Sequence, residues 1–156
     1  MTAVLSLGSN LGDRASHLAA AREMLGREFA VLGVSSTYET APVGVVDQAA
    51  FLNQVVVVDS DDAEALLAAA HRAEEARGRL RNRRWGPRTL DVDVVAVGAL
   101  RSDSPRLTLP HPRAHQRAFV LLPWVEIDPE AEVPGRGPAR VLLDGLDTSG
   151  VRRWSG

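Results

Sequence analysis

An α+β sandwich on a mainly antiparallel sheet is the fold this sequence predicts, and three observations carry it. Apolar runs of strand length and helix-like stretches follow one another in the order β-α-β-β-α-β. The second and third strands are neighbours joined only by a loop, a connection that suits an antiparallel pair. The 156 residues, 45% hydrophobic and 24% charged with a formal net charge of -2, have the length and balance of one compact domain spanning 1–156.

Residues 2–7 read as the first strand, closed by the turn-rich stretch from Gly8 to Asp13. Asp13 or Ser16 can cap a helix running to about Arg27, with Leu18, Ala21, Met24 and Leu25 as its apolar stripe. Residues 30–38 make a second strand, and the segment from Thr40 to Gln48 a loop that is apolar for its position. Residues 51–58 form a strong strand and 61–77 an Ala/Leu-rich helix opened by Asp61 and Asp62. After an arginine-rich loop comes the strand 90–97, then a short strand at Leu107–Leu109. A short helix over 114–122 is expected to stop before Pro123. The last thirty residues read as a tail around one more short element.

Composition removes several chemistries. The chain has no cysteine, which excludes disulfides, Cys-ligated zinc and thiolate catalysis and suits a reducing cytoplasm. All 18 basic residues other than His are arginine. Without lysine there is no Schiff-base chemistry and no Walker-type phosphate loop. The N-terminus lacks a basic region ahead of an apolar stretch, and no apolar run approaches the ~20 residues of a membrane span. Neither secretion nor membrane insertion is expected. No interface stripe stands out, so a monomer is expected.

The sharpest local signal is the pair Asp91 and Asp93. Strand side chains alternate, so both carboxylates project from one face of an otherwise apolar strand. Two anions so close need a cation between them. Oxygen-only ligands suit Mg²⁺, which takes one or two carboxylates and completes its shell with water and phosphates. Pairing with nearby arginines is the alternative.

Just upstream, Arg77–Arg88 holds six arginines in twelve residues. Guanidinium forks match phosphate oxygens, and cations beside a carboxylate pair are what phosphoryl transfer needs. A solvated loop or a nucleic-acid patch are the other readings. The negative net charge and only seven aromatic residues weigh against nucleic acid.

Weaker hints lie elsewhere. Leu67, His71 and Glu74 share a helix face that either floors a ligand site or forms an amphipathic exterior. The stretch from Arg106 to Phe119 sets Arg106, Thr108, His111 and Arg117 among prolines, equally suited to anion contact and to packing. Pro112 separates His111 from His115, so no helical zinc site is expected. The glycines Gly8 and Gly12 fit a tight strand-to-helix turn rather than a nucleotide fingerprint.

Taken together, the blocks Leu7–Asp13, Arg84–Asp93 and Arg117–Leu121, in this order, resemble the 6-hydroxymethyl-7,8-dihydropterin pyrophosphokinases (HPPK) of folate biosynthesis. The resemblance runs along nearly the whole chain and is densest from Arg84 to Asp93. It implies a ferredoxin-like fold and transfer of the β,γ-diphosphate of ATP to the pterin hydroxymethyl group, with AMP leaving. It also implies two Mg²⁺ ions on Asp91 and Asp93. Arg79, Arg81 and Arg88 match arginines of the catalytic loop and the site it covers, and Trp85 belongs to that loop. His71, Glu74, Arg106, Thr108, His111 and Arg117 match nucleotide-contacting positions. Thr40, Pro42, Val43, Gly44, Phe51, Asn53 and Phe119 match the pterin pocket.

The residue chemistry agrees with these assignments. A flat, polar bicycle calls for aromatic faces and amide partners, and Asn53 lies two residues beyond Phe51 on the same strand face. Arg79, Arg88 and Asp93 are the expected catalytic groups. Asp93 is the carboxylate available to accept the hydroxyl proton, although a loose transition state asks little of a base. Two departures stand out: many relatives carry Tyr at the position of Phe51, and the arginine loop is one residue shorter than in some, with Asn82 at a position where a cation occurs. A catalytically silent ferredoxin-like module binding a nucleotide or RNA is the alternative for the whole chain.

Overall fold

The computed structural model describes residues 1–41, 50–78 and 89–156. The chain opens with β1 (Thr2–Ser9), α1 (Arg14–Glu28), β2 (Ala30–Val34), β3 (Tyr38–Thr40), β4 (Phe51–Asp59), α2 (Ala63–Ala76), β5 (Asp91–Val97) and β6 (Ser102–Ser104). There follow β7 (Leu107–Leu109), a 3-10 turn (Ala114–Gln116), α3 (Ala118–Ile127), β8 (Glu132–Val133), β9 (Gly137–Pro138), α4 (Ala139–Asp144) and β10 (Val151–Arg153). Asp13 caps α1 by accepting the Ser16 N–H at 3.1 Å, and Asp62 caps α2 by accepting that of Ala65 at 3.0 Å.

The main sheet runs β10-β3-β4-β1-β5, with β2 also on β4, and its pairings are all antiparallel. Helices cover both faces, which is why the central strands are apolar at nearly every position rather than alternating. On one face Leu5, Leu7, Leu52, Val56 and Val92 pack with Leu18, Ala21 and Leu25 of α1 and Leu66, Ala70 and Ala73 of α2. On the other, Val4, Val55, Val57, Val95 and Ala96 pack with Val120, Leu121 and Trp124 of α3 and Ala139 of α4. The β1–β5 register slips at Val95, so Val95 and Ala96 both turn to the second face.

Three expectations are corrected. The strand expected over 30–38 is two strands, β2 and β3, on either side of a break at residues 35–37. The short helix over 114–122 is a 3-10 turn followed by α3, which runs on through Pro123 to Ile127. Proline there withholds one N–H, and burial of Val120, Leu121, Pro123 and Trp124 offsets that loss. The tail holds a hairpin, a helix and a strand, and β10 extends the sheet along β3.

Candidate active site

Asp91 and Asp93 open β5, where the strand emerges from the core, and both are half-buried. Their β1 partners are Gly8 and Ser6, so the carboxylates sit on the face that carries Val4 and Val95. On the other side of β1, Gly8 pairs with Asn53. Asn53 and Phe51 therefore share the face of the two aspartates, with Gly8 between the strands. A side chain at Gly8 would lie 3.3 Å from Asn53 Oδ1 and 3.7 Å from Phe51 Cδ1, so the missing Cβ keeps this floor open.

Asn53 is 3% exposed, and its amide donates to Thr40 Oγ1 at 2.6 Å. This joins β4 to β3 on the same face. Phe119, at the start of α3, packs against the second core, and the Arg117 guanidinium lies 5.4 Å from its ring centroid.

A cavity of about 320 Å³ opens along the β5 edge. Its walls include Asp91 and Asp93, Leu67, His71 and Glu74 from α2, Arg106 and Thr108 around β7, and His111. The α2 face bearing Leu67, His71 and Glu74 is thus the cavity wall rather than an outer surface. Glu74 is 3% exposed, and its carboxylate accepts the N–H of Val92 at 2.9 Å. Among the described residues β5 is an edge strand, with backbone groups on one side that no strand of the sheet takes up. Glu74 satisfies the one between the two aspartates.

His111 anchors its loop by donating its N–H to the Val95 carbonyl at 2.8 Å, and its Nδ1 accepts the Arg113 N–H at 3.2 Å. An accepting Nδ1 puts the ring proton on Nε2. Burial lowers the His111 pKa from its ordinary value, aided by the Arg117 and Arg113 charges and opposed by Asp91. Burial thus favours the neutral ring, a donor through Nε2. Thr108 gives its hydroxyl proton to the Ser104 carbonyl at 3.0 Å. Arg106 pairs with Glu64 at 2.6 Å, but both side chains are largely exposed, and such a pair yields at little cost to an anion in the cavity.

Arg79, Arg81, Trp85, Arg88, Pro42, Val43 and Gly44 lie outside the described residues. Apart from Arg117 and Phe119 at the start of α3, those described fall into two adjoining groups. Thr40, Phe51 and Asn53 form a polar and aromatic floor on the sheet. His71, Glu74, Arg106, Thr108 and His111 line the cavity at its edge. Asp91 and Asp93 belong to both. Nothing along the chain marks Gly8 as part of the floor, since its role comes from the strand pairing. Glu126 and Tyr38, joined across 88 positions by a 2.5 Å hydrogen bond, are likewise unmarked in the sequence.

Comparisons with known proteins bear on the family of the chain and on its fold. The profile of the 7,8-dihydro-6-hydroxymethylpterin-pyrophosphokinase (HPPK) family matches residues 4–129. The 2-amino-4-hydroxy-6-hydroxymethyldihydropteridine pyrophosphokinase of Mycobacterium tuberculosis is 45% identical over 96% of this chain and 87% of its own. The proteins of that name from Methylorubrum extorquens and Bacillus subtilis are 43% and 39% identical, each over 97% of this chain, and covered over 97% and 89% of their own. Among solved structures, an HPPK-DHPS chain of Plasmodium falciparum superposes with a TM-score of 0.70 at 15% identity. That match covers 92% of this chain, which spans 45% of the Plasmodium one, and it supports the fold alone. Sequence and fold together establish that the chain belongs to the HPPK family of ATP-using diphosphotransferases.

Proposed function

We propose that the protein catalyses Mg²⁺-dependent transfer of the diphosphate of ATP to the hydroxymethyl group of 6-hydroxymethyl-7,8-dihydropterin, giving the pterin diphosphate and AMP. One observation carries the reading: Asp91 and Asp93 stand at the seam between the Phe51–Asn53 floor and the cavity lined by His71, Thr108 and His111. A group passing from a nucleotide in the cavity to an acceptor on the floor crosses these carboxylates.

The residues fit Mg²⁺. The pair is oxygen-only, and among the described residues no group of three or more His, Cys, Asp or Glu is placed to hold a metal unaided. Such a site leaves room for water and phosphate oxygens, as Mg²⁺ prefers. Asp91 and Asp93 would hold two ions, and bound there they supply neutralising charge across the triphosphate.

The protein's own groups do the remaining work. Phe51 and Phe119 are suited to stack on the pterin, and Asn53 with Thr40 to meet its polar edge. Pro42, Val43 and Gly44 complete that pocket in this reading. His111, Thr108, Arg106 and Arg117, with His71 and Glu74, receive the nucleotide. Arg79, Arg81 and Arg88 supply cations to the transferring phosphates, with Trp85 on the same loop, and Asp93 accepts the hydroxyl proton.

We read 1–156 as one catalytic domain acting as a cytoplasmic monomer on small molecules, not on nucleic acid or membranes. Among the described residues no helix is long and apolar enough to cross a membrane. The deciding experiment follows AMP from ATP and Mg²⁺ with and without 6-hydroxymethyl-7,8-dihydropterin. Pterin-dependent AMP is the expected result. ADP would mean attack at a different phosphorus, and no nucleotide product would leave a binding module.

A further inference from the structure

Strand β3 reaches the site out of step with β2. In β2, Gly33 and Val34 pair with Val57 and Val56, whereas in β3 Tyr38 and Thr40 pair with Asn53 and Phe51. The sum of paired numbers rises from 90 to 91, so one extra residue is accommodated between them. Because side chains alternate, that single residue decides which half of β3 faces the site. With it, Tyr38 and Thr40 lie on the face of Asn53. Without it, Thr37 would stand opposite Asn53, and Thr40 Oγ1 would be on the wrong side to receive the Asn53 amide.

A one-residue slip exposes backbone groups that the ladder no longer pairs. Side chains meet several of them here. Gln54 donates to the Ser35 carbonyl at 2.7 Å, and Ser35 Oγ accepts the Val55 N–H at 2.9 Å. The slipped residue itself is held from another element. Glu126, near the end of α3, accepts the Ser36 N–H at 2.9 Å, the Ser36 hydroxyl at 2.9 Å and the Tyr38 hydroxyl at 2.5 Å. Arg153 of β10 adds a more distant charge at 3.8 Å. Partial burial of Glu126 opposes ionisation, yet the Tyr38 and Ser36 hydrogen bonds and Arg153 together outweigh it and hold its pKa below the ordinary carboxylate value.

The direction of support follows from what anchors each partner. α3 is fixed by its own buried Val120, Leu121 and Trp124. Its last residue, Ile127, packs where Gly33 leaves room, for a Cβ there would come within 2.4 Å of its Cγ2. β3 is only three residues long and buries Tyr38 alone. The helix is the support, and β3 is what it holds.

We infer that Glu126 is a positioning residue for the pterin substrate: by gripping Ser36 and Tyr38 it maintains the register shift that turns Thr40 towards Asn53. The inference rests on the pterin reading of the Asn53 floor. It acts on the sheet side of the site and leaves the β5-edge cavity untouched.

The test measures initial rates of AMP formation in the wild type, Glu126→Gln, Glu126→Ala and Tyr38→Phe. Glu126→Ala is expected to raise the KM for the pterin about tenfold or more, the scale of losing hydrogen bonds to a charged group. The KM for ATP should stay within about twofold. Glu126→Gln keeps an acceptor at the same place and should recover part of the loss. Tyr38→Phe removes one donor only and should give a smaller rise of the same kind, which covers the case in which Glu126→Ala does not fold. Equal rises in both KM values, a fall in kcat alone, or no change in Glu126→Gln and Tyr38→Phe would overturn the inference. A wild type without pterin-dependent AMP would instead remove the pterin reading, and the inference with it, before any variant is compared.

Discussion

The carboxylate of Glu74 accepts the N–H of Val92, the residue that separates Asp91 from Asp93, at 2.9 Å. A helix buried under one face of the sheet thereby fixes the edge strand at the point where two acidic side chains leave its other face. Glu74→Ala leaves a buried N–H without this acceptor, and stability should fall by about 1–3 kcal/mol. Turnover should fall as well, because both aspartates lose their reference point. Thermal melts and the AMP assay read the two effects, and Glu74→Gln, which keeps an acceptor, should restore most of the stability.

Asp91→Asn and Asp93→Asn keep the shape of each side chain and remove one charge. Two like charges on one strand face repel, so neither change should lower the melting temperature by more than a few degrees. Each should cut AMP formation by at least ~100-fold, the scale of losing a group that organises transition-state charge. Chelating the metal from the wild type should produce a loss of the same size, reversed by added Mg²⁺. Full activity in both variants would mean that the pair serves only the fold.

Gly8 lies between Asp91 and Asn53 in the sheet. Gly8→Val would crowd Asn53 Oδ1 and the Phe51 ring, at 3.3 and 3.7 Å from the new Cβ. The expected result is a rise of roughly tenfold in the pterin KM, the equivalent of ~1–2 kcal/mol of misfit, with the ATP KM unchanged. Parallel titrations of the two substrates separate these outcomes.

Arg77, at the end of α2, donates from Nε to His17 Nδ1 at 2.9 Å, which requires a neutral imidazole. Burial and the neighbouring Arg77 charge lower the His17 pKa below 6.5, against Asp13 and the Leu11 backbone. A basic group with a lowered folded pKa contributes stability that is present above its unfolded value and is lost as pH falls through it. Wild type and His17→Ala should therefore differ in melting temperature at pH 8, and the difference should shrink as pH drops below about 6.5. A gap that widens on acidification would reverse the assigned sign.

Much of the site could be read along the chain because it depends on local periodicity. Asp91 and Asp93 share a face, as do Phe51 and Asn53, since a strand repeats every two residues. Leu67, His71 and Glu74 align because a helix repeats every 3.6. Residue type narrows the caps to Asp13 or Ser16 for α1 and to Asp61 or Asp62 for α2, and backbone geometry selects Asp13 and Asp62. The continuous apolar run from Val55 to Val58 announced a strand, without telling that both its faces would be covered.

What the sequence determined by itself was therefore the set of elements and the side chains that each presents together. Which faces meet was settled by the packing of the elements on one another. That α2 turns His71 and Glu74 towards a cavity depends on its packing against β5. That Thr40 rather than Glu39 reaches Asn53 depends on a one-residue slip held by Glu126, 90 positions from Ser36. The run 30–38 could not announce its own break, nor the tail its return to β3 as β10. Register and long-range pairing carry no periodic trace, because the groups that enforce them lie on other elements and are brought near only when the sheet and its helices close on one another.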